Sequence, residues 1–376
     1  MPLPAVPLLD LAPQYDFLED TIIEKIREIL HSKQFILGPD VEALESELSS
    51  YCKTQYALTV SSGTDALLLA LMALGVGPGD EVITTTFTFF ATAGSIARVG
   101  ATPVFCDIDP KTFNLDVSQV ANAITSKTKV IMPVHLFGQM ADMDGLLELA
   151  KRHHLAVIED AAQAIGARYQ SQDTDKWVPA GAGGTIGCFS FFPSKNLGGI
   201  GDGGFVTTQD PQLYHKMKLL RNHGAENRYY HALIGGNFRL DTIQCAVLRL
   251  KLPQLDVQHN ARRKNASYYD AHLADVVEIP RVAPRTEMIY NQYTIRTPKR
   301  DGLAQHLAEH QIGHAIYYPL PLHLQVCFAH LGYKKGQLPE AEKAAAEALS
   351  LPIFPGLTAA QAERVCTVIR HFFARA

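Results

Sequence analysis

Tyr56-Ala-Leu-Thr-Val-Ser-Ser-Gly-Thr-Asp-Ala-Leu-Leu-Leu-Ala-Leu-Met-Ala-Leu74-Gly75 is the stretch that decides the fold class. Tyr56–Ser61 is apolar and β-branched, the composition of a buried strand, and Gly63–Leu74 is a run of helix formers closed by Gly75. The alternation continues downstream. Glu81–Thr86, Thr102–Asp107, Lys129–Leu136 and Leu155–Glu159 read as strands, with Ala91–Val99 and Met143–His153 as the helices between them. Such alternation predicts a mostly parallel sheet with helices on both faces, an α/β domain whose ligands gather at the carboxyl ends of the strands.

Outward from that core the signals are sparser. The polar, Gly-rich segment Gln170–Gly184 reads as a surface loop. Leu240–Leu252, stopped by Pro253, and Asn260–Ala274 read as helices. Ile279–Ala376 mixes short strands, Pro-rich turns and two helices, Leu303–His310 and Glu340–Leu349, which suits a smaller α+β domain. The expected division is a large α/β domain over 1–250 and a small C-terminal one over 251–376. Two domains also fit 376 residues at about 150 per domain.

Bulk properties exclude several partners. The chain carries a formal charge of −4, a hydrophobic share of 47% and no block of like charges, so nothing attracts nucleic acid at long range. Met1–Asp20 lacks the basic flank and apolar run of a signal peptide. The longest apolar stretch, Ala66–Val76, is far short of the roughly 20 residues a bilayer span needs. Cys52, Cys106, Cys188, Cys245, Cys327 and Cys366 are scattered, with no C-x-x-C and no clustered histidine, so buried free thiols are expected rather than a metal site. A cytoplasmic protein without membrane or metal partners is the expectation.

Three segments carry chemistry. In Ser190-Phe-Phe-Pro-Ser-Lys195 a lysine follows an aromatic strand. Most loop lysines are solvated surface charge; one that forms a Schiff base must sit fixed and partly desolvated so that its amine can lose a proton. Phe191 and Phe192 are compatible with that. In Val157-Ile-Glu-Asp160-Ala-Ala-Gln163 an apolar strand ends in a carboxylate, which either faces a ligand or caps a following helix. Ser61-Ser-Gly63-Thr64-Asp65 joins a strand to a helix that begins near Ala66. That arrangement suits one phosphate or serves as an ordinary cap. Gly199-Ile-Gly-Asp-Gly-Gly204 matches G-x-G-x-x-G, but the strand-like Phe205–Thr208 follows it instead of a helix, so it is no dinucleotide site.

Taken together, these blocks resemble the DegT/DnrJ/StrS sugar aminotransferases, a family of the aspartate-aminotransferase fold type (fold type I of the pyridoxal-phosphate enzymes). The resemblance runs from Phe35-Ile-Leu-Gly-Pro39 to Leu351-Pro-Ile-Phe-Pro355 and includes His135-Leu-Phe-Gly-Gln139 and Gly236-Asn-Phe-Arg239. It implies that Lys195 forms the internal aldimine with pyridoxal phosphate and then shuttles the proton. Asp160 would pair with the ring nitrogen and Gln163 would sit near the ring hydroxyl. Gly63, Thr64 and Ser190 would hold the phosphate, and Phe89 would stack on the ring, although a core Phe is the plainer reading. Asn237 would reach a phosphate across the interface of a homodimer with shared active sites. On the substrate side, Arg239 is a candidate for a diphosphate or sugar acid. Tyr317, Tyr318 and His323 match a substrate loop, or simply pack.

The activity implied is a two-stage transamination through pyridoxamine phosphate. An amino acid, glutamate by expectation, gives its amino group to a keto-sugar carried on UDP or dTDP. The motifs look closest to the branch acting on 3-keto sugars, with a 4-keto substrate as the alternative. The related sugar dehydratases carry a histidine where Lys195 stands. A regulatory or scaffolding protein that binds cofactor without turnover is the rival from another class, and the presence of both Lys195 and Asp160 weighs against it.

Overall fold

The structure, a computed structural model, describes residues 4–375. Helices α1 (Ala12–Tyr15), α2 (Glu19–Ser32) and α3 (Pro39–Cys52) precede the alternating region. That region runs β1 (Tyr56–Val60), α4 (Gly63–Ala73), β2 (Glu81–Thr85), α5 (Ala91–Arg98), β3 (Thr102–Cys106), α6 (Val117–Ala123), β4 (Thr128–Met132), α7 (Met143–His153) and β5 (Ala156–Asp160). Short strands β6 (Arg168–Gln170) and β7 (Trp177–Pro179) come before β8 (Ile186–Ser190) and β9 (Gly204–Thr208). Then follow α8 (Pro211–Arg221), the hairpin β10 (Ala225–Asn227) and β11 (Tyr230–His231), α9 (Thr242–Lys251) and α10 (Leu255–Leu273). The C-terminal part holds β12 (Thr286–Glu287), β13 (Tyr293–Arg296), α11 (Arg300–Glu309), α12 (Pro339–Glu347), β14 (Ala348–Leu351) and α13 (Ala359–Arg375).

The central sheet has the order β1-β9-β8-β5-β4-β2-β3. Its pairs from β8 through β5, β4 and β2 to β3 are parallel, and their residues are almost continuously buried, because helices cover both faces. β9 runs antiparallel to both neighbours. The connection from β8 to β9 contains no helix, so the chain turns straight back where a parallel crossover would need one. One apolar core packs α3, α7 and α9 on one face of the sheet, and a second packs α4 and α8 on the other. A third joins the C-terminal elements to Val6, Phe87 and Phe137. Among the described residues no helix is long and apolar enough to cross a membrane.

Three sequence expectations need correction. Gln170–Gly184 is not a plain surface loop: β7 lies within it, pairs with β6, and through β6 joins β12 in a three-stranded sheet. The C-terminal part contains a third helix, α13, opened by a reciprocal cap in which the Gln361 amide donates to Thr358 Oγ1 (3.2 Å) and the Thr358 amide to Gln361 Oε1 (2.9 Å). Cys327 is exposed, while the other five cysteines are buried.

A buried ion pair ties α3, β1 and α8 together. Arg221 Nη1 donates to Glu45 Oε1 (2.5 Å) and to the Thr59 carbonyl (3.1 Å), and the same carboxylate oxygen accepts from the Thr59 amide (2.9 Å). Removing one member leaves the other charge buried and uncompensated. Arg221→Met is therefore expected to lower stability by about 3–5 kcal/mol. Urea unfolding checks it, and a loss below about 1 kcal/mol would show that water reaches Glu45.

Candidate active site

The carboxyl ends of three strands build the site. In register across the sheet, Ser190 at the end of β8 lies opposite Gly204 of β9, which lies opposite Val60 at the end of β1. A Cβ on Gly204 would stand 2.6 Å from the Phe189 oxygen and 2.7 Å from the Ser62 carbonyl carbon, and one on Gly63 would stand 2.7 Å from Ser190 Cβ. Only glycine at both positions lets the start of α4 fold down onto the end of β8. Gly63, Thr64 and Ser190 therefore share one corner. As first-turn amides, those of Gly63 and Thr64 have no intrahelical acceptor. The cap reading holds alongside: Ser62 Oγ accepts from the Asp65 amide (3.0 Å), and Asp65 Oδ2 accepts from the Ser61 and Ser62 hydroxyls (2.7 and 3.0 Å).

Asp160 closes β5 at 5% exposure. No helix follows it, so the capping alternative fails. Instead Oδ2 accepts from the Thr92 hydroxyl (2.8 Å) and Oδ1 from the Ala162 amide (3.3 Å). Thr88 Oγ1 lies 3.1 Å from Thr92 Oγ1, and with the Thr92 proton committed to Asp160, Thr88 is the donor of that pair. Burial pushes the Asp160 carboxyl above the ordinary range, while the bonds from Thr92 and Ala162 and the charge of Lys195 pull it down.

Lys195 is partly buried, and its backbone amide donates to the Phe192 carbonyl (2.8 Å). Desolvation brings its amine down to about 8, against an opposing pull from Asp160. The two groups thus sense each other's charge across one desolvated space, and an amine with that value is half free base near pH 8. Phe191 is core, but Phe192 is exposed.

Gln163, Tyr318 and Phe89 form a cluster beside Asp160, whose charge reaches the Tyr318 hydroxyl. Gln163 Oε1 accepts from the Phe137 amide (2.7 Å), and its Nε2 donates to the Tyr318 hydroxyl (3.2 Å). Tyr318 stands edge-on to Phe87 (6.0 Å between ring centres) and tilted against Phe89 (6.4 Å). Phe87 is core, whereas Phe89 is 59% exposed, which removes the core-Phe reading and leaves an aromatic face free beside Tyr318.

Residues 16–370 match the model of the DegT/DnrJ/EryC1/StrS aminotransferases. The chain belongs to that aminotransferase family. It is similar to a pleiotropic regulatory protein of Geobacillus stearothermophilus, at 52% identity over 98% of each chain. It is also similar to the UDP-N-acetyl-3-dehydro-alpha-D-glucosamine 3-aminotransferase of Acidithiobacillus ferrooxidans, at 45% identity over 98% of each. Among solved structures it resembles DesV of S. venezuelae in complex with a ketimine intermediate, at 43% identity, 100% of each chain covered and a TM-score of 0.96. The fold is accordingly that of the aspartate-aminotransferase-like pyridoxal enzymes: a large mixed-sheet domain and a smaller C-terminal α+β domain.

In this aminotransferase fold, several residues stand apart from the Lys195–Asp160 pair. His323, expected at a substrate, is only 1% exposed. Its Nδ1 accepts from the Thr86 hydroxyl (2.7 Å) and its Nε2 meets Glu342 Oε1 (3.3 Å), so it braces the end of β2 and has no free face for a ligand. Arg239 has one arm committed to Asn222 Oδ1 (2.5 Å). Asn237 is exposed, and Phe238 between the two receives the Ser61 amide (2.9 Å), which places this segment beside the Ser61–Thr64 corner. Tyr317 lies tilted against Tyr318, with 5.9 Å between ring centres.

Sequence reading missed Thr92, Thr88 and Glu159. Glu159, fully buried next to Asp160, accepts from His135 Nε2 (2.8 Å) and from the amides of Gly181 (2.8 Å), Gly183 (3.0 Å) and Gly184 (2.5 Å). His135 Nδ1 accepts from the Ala141 amide (3.1 Å), which fixes Nε2 as the donor. Strand alternation sends Glu159 to the opposite face from Asp160, so this network anchors the end of β5 from behind.

Proposed function

We propose that this chain catalyses pyridoxal-phosphate-dependent transfer of an amino group from glutamate to C3 of a keto-sugar carried on UDP or dTDP. The observation that carries the reading is the desolvated Lys195 amine coupled to the buried Asp160 carboxylate beside a corner that only glycine can form. These residues fit the cofactor. Gly63, Thr64 and Ser190 would hold its phosphate, Asp160 its ring nitrogen, Gln163 its ring hydroxyl and Phe89 its face. When bound, pyridoxal phosphate supplies an electron sink for a carbon that must lose a proton.

The chain's own groups do the rest. Lys195 Nζ, partly free base at neutral pH, would take the proton from the donor's α-carbon and deliver it to the carbon on the far side of the amino nitrogen; in the second half it would run the same transfer in reverse. The bonds from Thr92 and Ala162 favour the Asp160 anion against its burial, and that anion would keep the ring nitrogen's proton in place. Arg239 and Tyr317 are the substrate-side residues in this reading.

The reading includes a cytoplasmic homodimer with shared sites, in which Asn237 serves the second copy's phosphate corner. Exposed apolar side chains support an assembly: Phe35, Ile36, Leu37 and Ile234 all stand in solvent in the single chain. The name of the 52% relative favours a second reading, a regulator without turnover.

A panel of UDP- and dTDP-linked 3-keto and 4-keto sugars with glutamate, followed by 2-oxoglutarate release, separates the readings. The expected result is turnover of a 3-keto sugar at least about tenfold faster in kcat/KM than its 4-keto isomer. Faster turnover of the 4-keto isomer moves the reacting carbon. No turnover of any member, by protein that binds the cofactor, leaves the regulator.

A further inference from the structure

Helix α9 ends in a lysine that has no business in an apolar core. Lys251 is 2% exposed, and no carboxylate pairs with it among the described residues. Its Nζ donates to the Gly198 carbonyl (2.5 Å) and to the Tyr15 hydroxyl (3.0 Å), and it sits 4.3 Å from the centre of the Tyr15 ring. The Tyr15 hydroxyl in turn donates to the Gly199 carbonyl (3.0 Å). Burial alone brings the Lys251 amine down to about 8. An ammonium held this way is a costly means of stabilising a fold, since an apolar side chain of the same length would fill the space without desolvating a charge.

What Lys251 grips is the segment that carries Lys195. That segment folds tightly on itself: the Gly199 amide donates to the Phe191 carbonyl (2.8 Å), and a Cβ on Gly198 would stand 2.3 Å from the Pro193 oxygen. Two turns earlier on α9, Gln244 Oε1 accepts from the Ile200 amide (2.9 Å) and would lie 2.6 Å from a Cβ on Gly199. Seven residues apart, Gln244 and Lys251 share a helix face, and with Tyr15 they hold three consecutive residues, Gly198, Gly199 and Ile200.

We infer that Lys251, together with Tyr15, is a positioning residue that fixes the Pro193–Gly201 turn and thereby sets the Lys195 amine against Asp160. The inference rests on the reading of Lys195 given above, but its first test does not. In the full-length cofactor-free chain, Lys251→Met should speed hydrogen exchange of the 196–201 amides at least about tenfold, with exchange in β4 and β5 unchanged. Tyr15→Phe keeps the ring and the Lys251 bond to Gly198 but loses the hydroxyl's bond to Gly199 and its acceptance from Lys251, so it should give a smaller acceleration confined to the same amides. With cofactor and substrates, Lys251→Met should lower kcat about ten- to a hundredfold, leave KM for the amino donor within about twofold, and shift the acid limb of the kcat profile.

Unchanged exchange at 196–201 in both variants, or acceleration spread evenly over the sheet, overturns the inference and leaves Lys251 a packing residue. Unchanged kcat and pH profile despite a loosened turn overturns it equally. If the unaltered chain takes up no cofactor on Lys195, the reading of Lys195 fails, and the exchange experiment still reports separately on whether Lys251 holds the turn.

Discussion

Lys195→Ala is expected to abolish the visible absorbance that the purified chain acquires with pyridoxal phosphate and to reduce amino transfer by about 10⁴-fold or more. General acid–base transfer alone contributes about 10²–10⁴-fold, and the same amine is also the point of covalent attachment. The structure supplies its own control. Lys251 is a second buried lysine whose amine is likewise brought down to about 8. A depressed amine therefore does not identify the reacting lysine. The surroundings do: Lys195 feels the charge of Asp160, whereas the donors of Lys251 are spent on a carbonyl and a hydroxyl. Borohydride fixation followed by peptide mapping should place the cofactor on Lys195 alone, and Lys251→Met should still be labelled there. Label on Lys251, or an undiminished band in Lys195→Ala, would sink the assignment.

The parts of this molecule that could be read from sequence are those whose signal is local. Apolar runs alternating with helix formers marked β1 through β5 because burial on both faces of a parallel strand leaves a continuous apolar segment. Asp160 stands out because it ends such a run, and Lys195 because it follows one, five residues beyond the end of β8. Thr92, the donor to Asp160, lies 68 residues from its partner, and Tyr15 lies 236 from Lys251; nothing near either residue announces the pair. Gln170–Gly184 misled for a related reason. Its glycines look like loop, but their amides are used by the Glu159 carboxylate, which only the folded chain brings to them. His323 had the right composition for a substrate contact and the wrong depth. Helix α13 was more accessible: Thr358-Ala-Ala-Gln361 is a capping box, obscured by the β-branched Val365, Val368 and Ile369 that follow it.

Asp160→Asn is the second large effect expected, and it should separate function from stability. The substitution keeps the shape of the side chain and an oxygen for Thr92 to donate to, but removes the charge that would hold a protonated ring nitrogen. Losing one preorganised electrostatic contact of this kind costs about 10²–10³-fold in rate, so kcat/KM should fall by at least about 10²-fold. Thr92→Val leaves the charge and removes one bond to it, worth about 1.5–3 kcal/mol, and should give a smaller fall of roughly ten- to a hundredfold. Its acid limb should move to higher pH, because Asp160 loses a contact that favours the anion. Stability should run the other way. Since burial raises the Asp160 carboxyl above its unfolded value, the folded chain binds more protons there, and stability declines as pH rises through that interval. Above that interval the cofactor-free chain carries the full penalty of a buried charge, and Asn does not. The cofactor-free Asp160→Asn variant should therefore unfold in urea at a concentration no lower than the unaltered chain, while its pyridoxal phosphate binds more weakly. A variant that is less stable yet loses less than about tenfold in kcat/KM would make Asp160 a structural residue, and the ring nitrogen would need another partner.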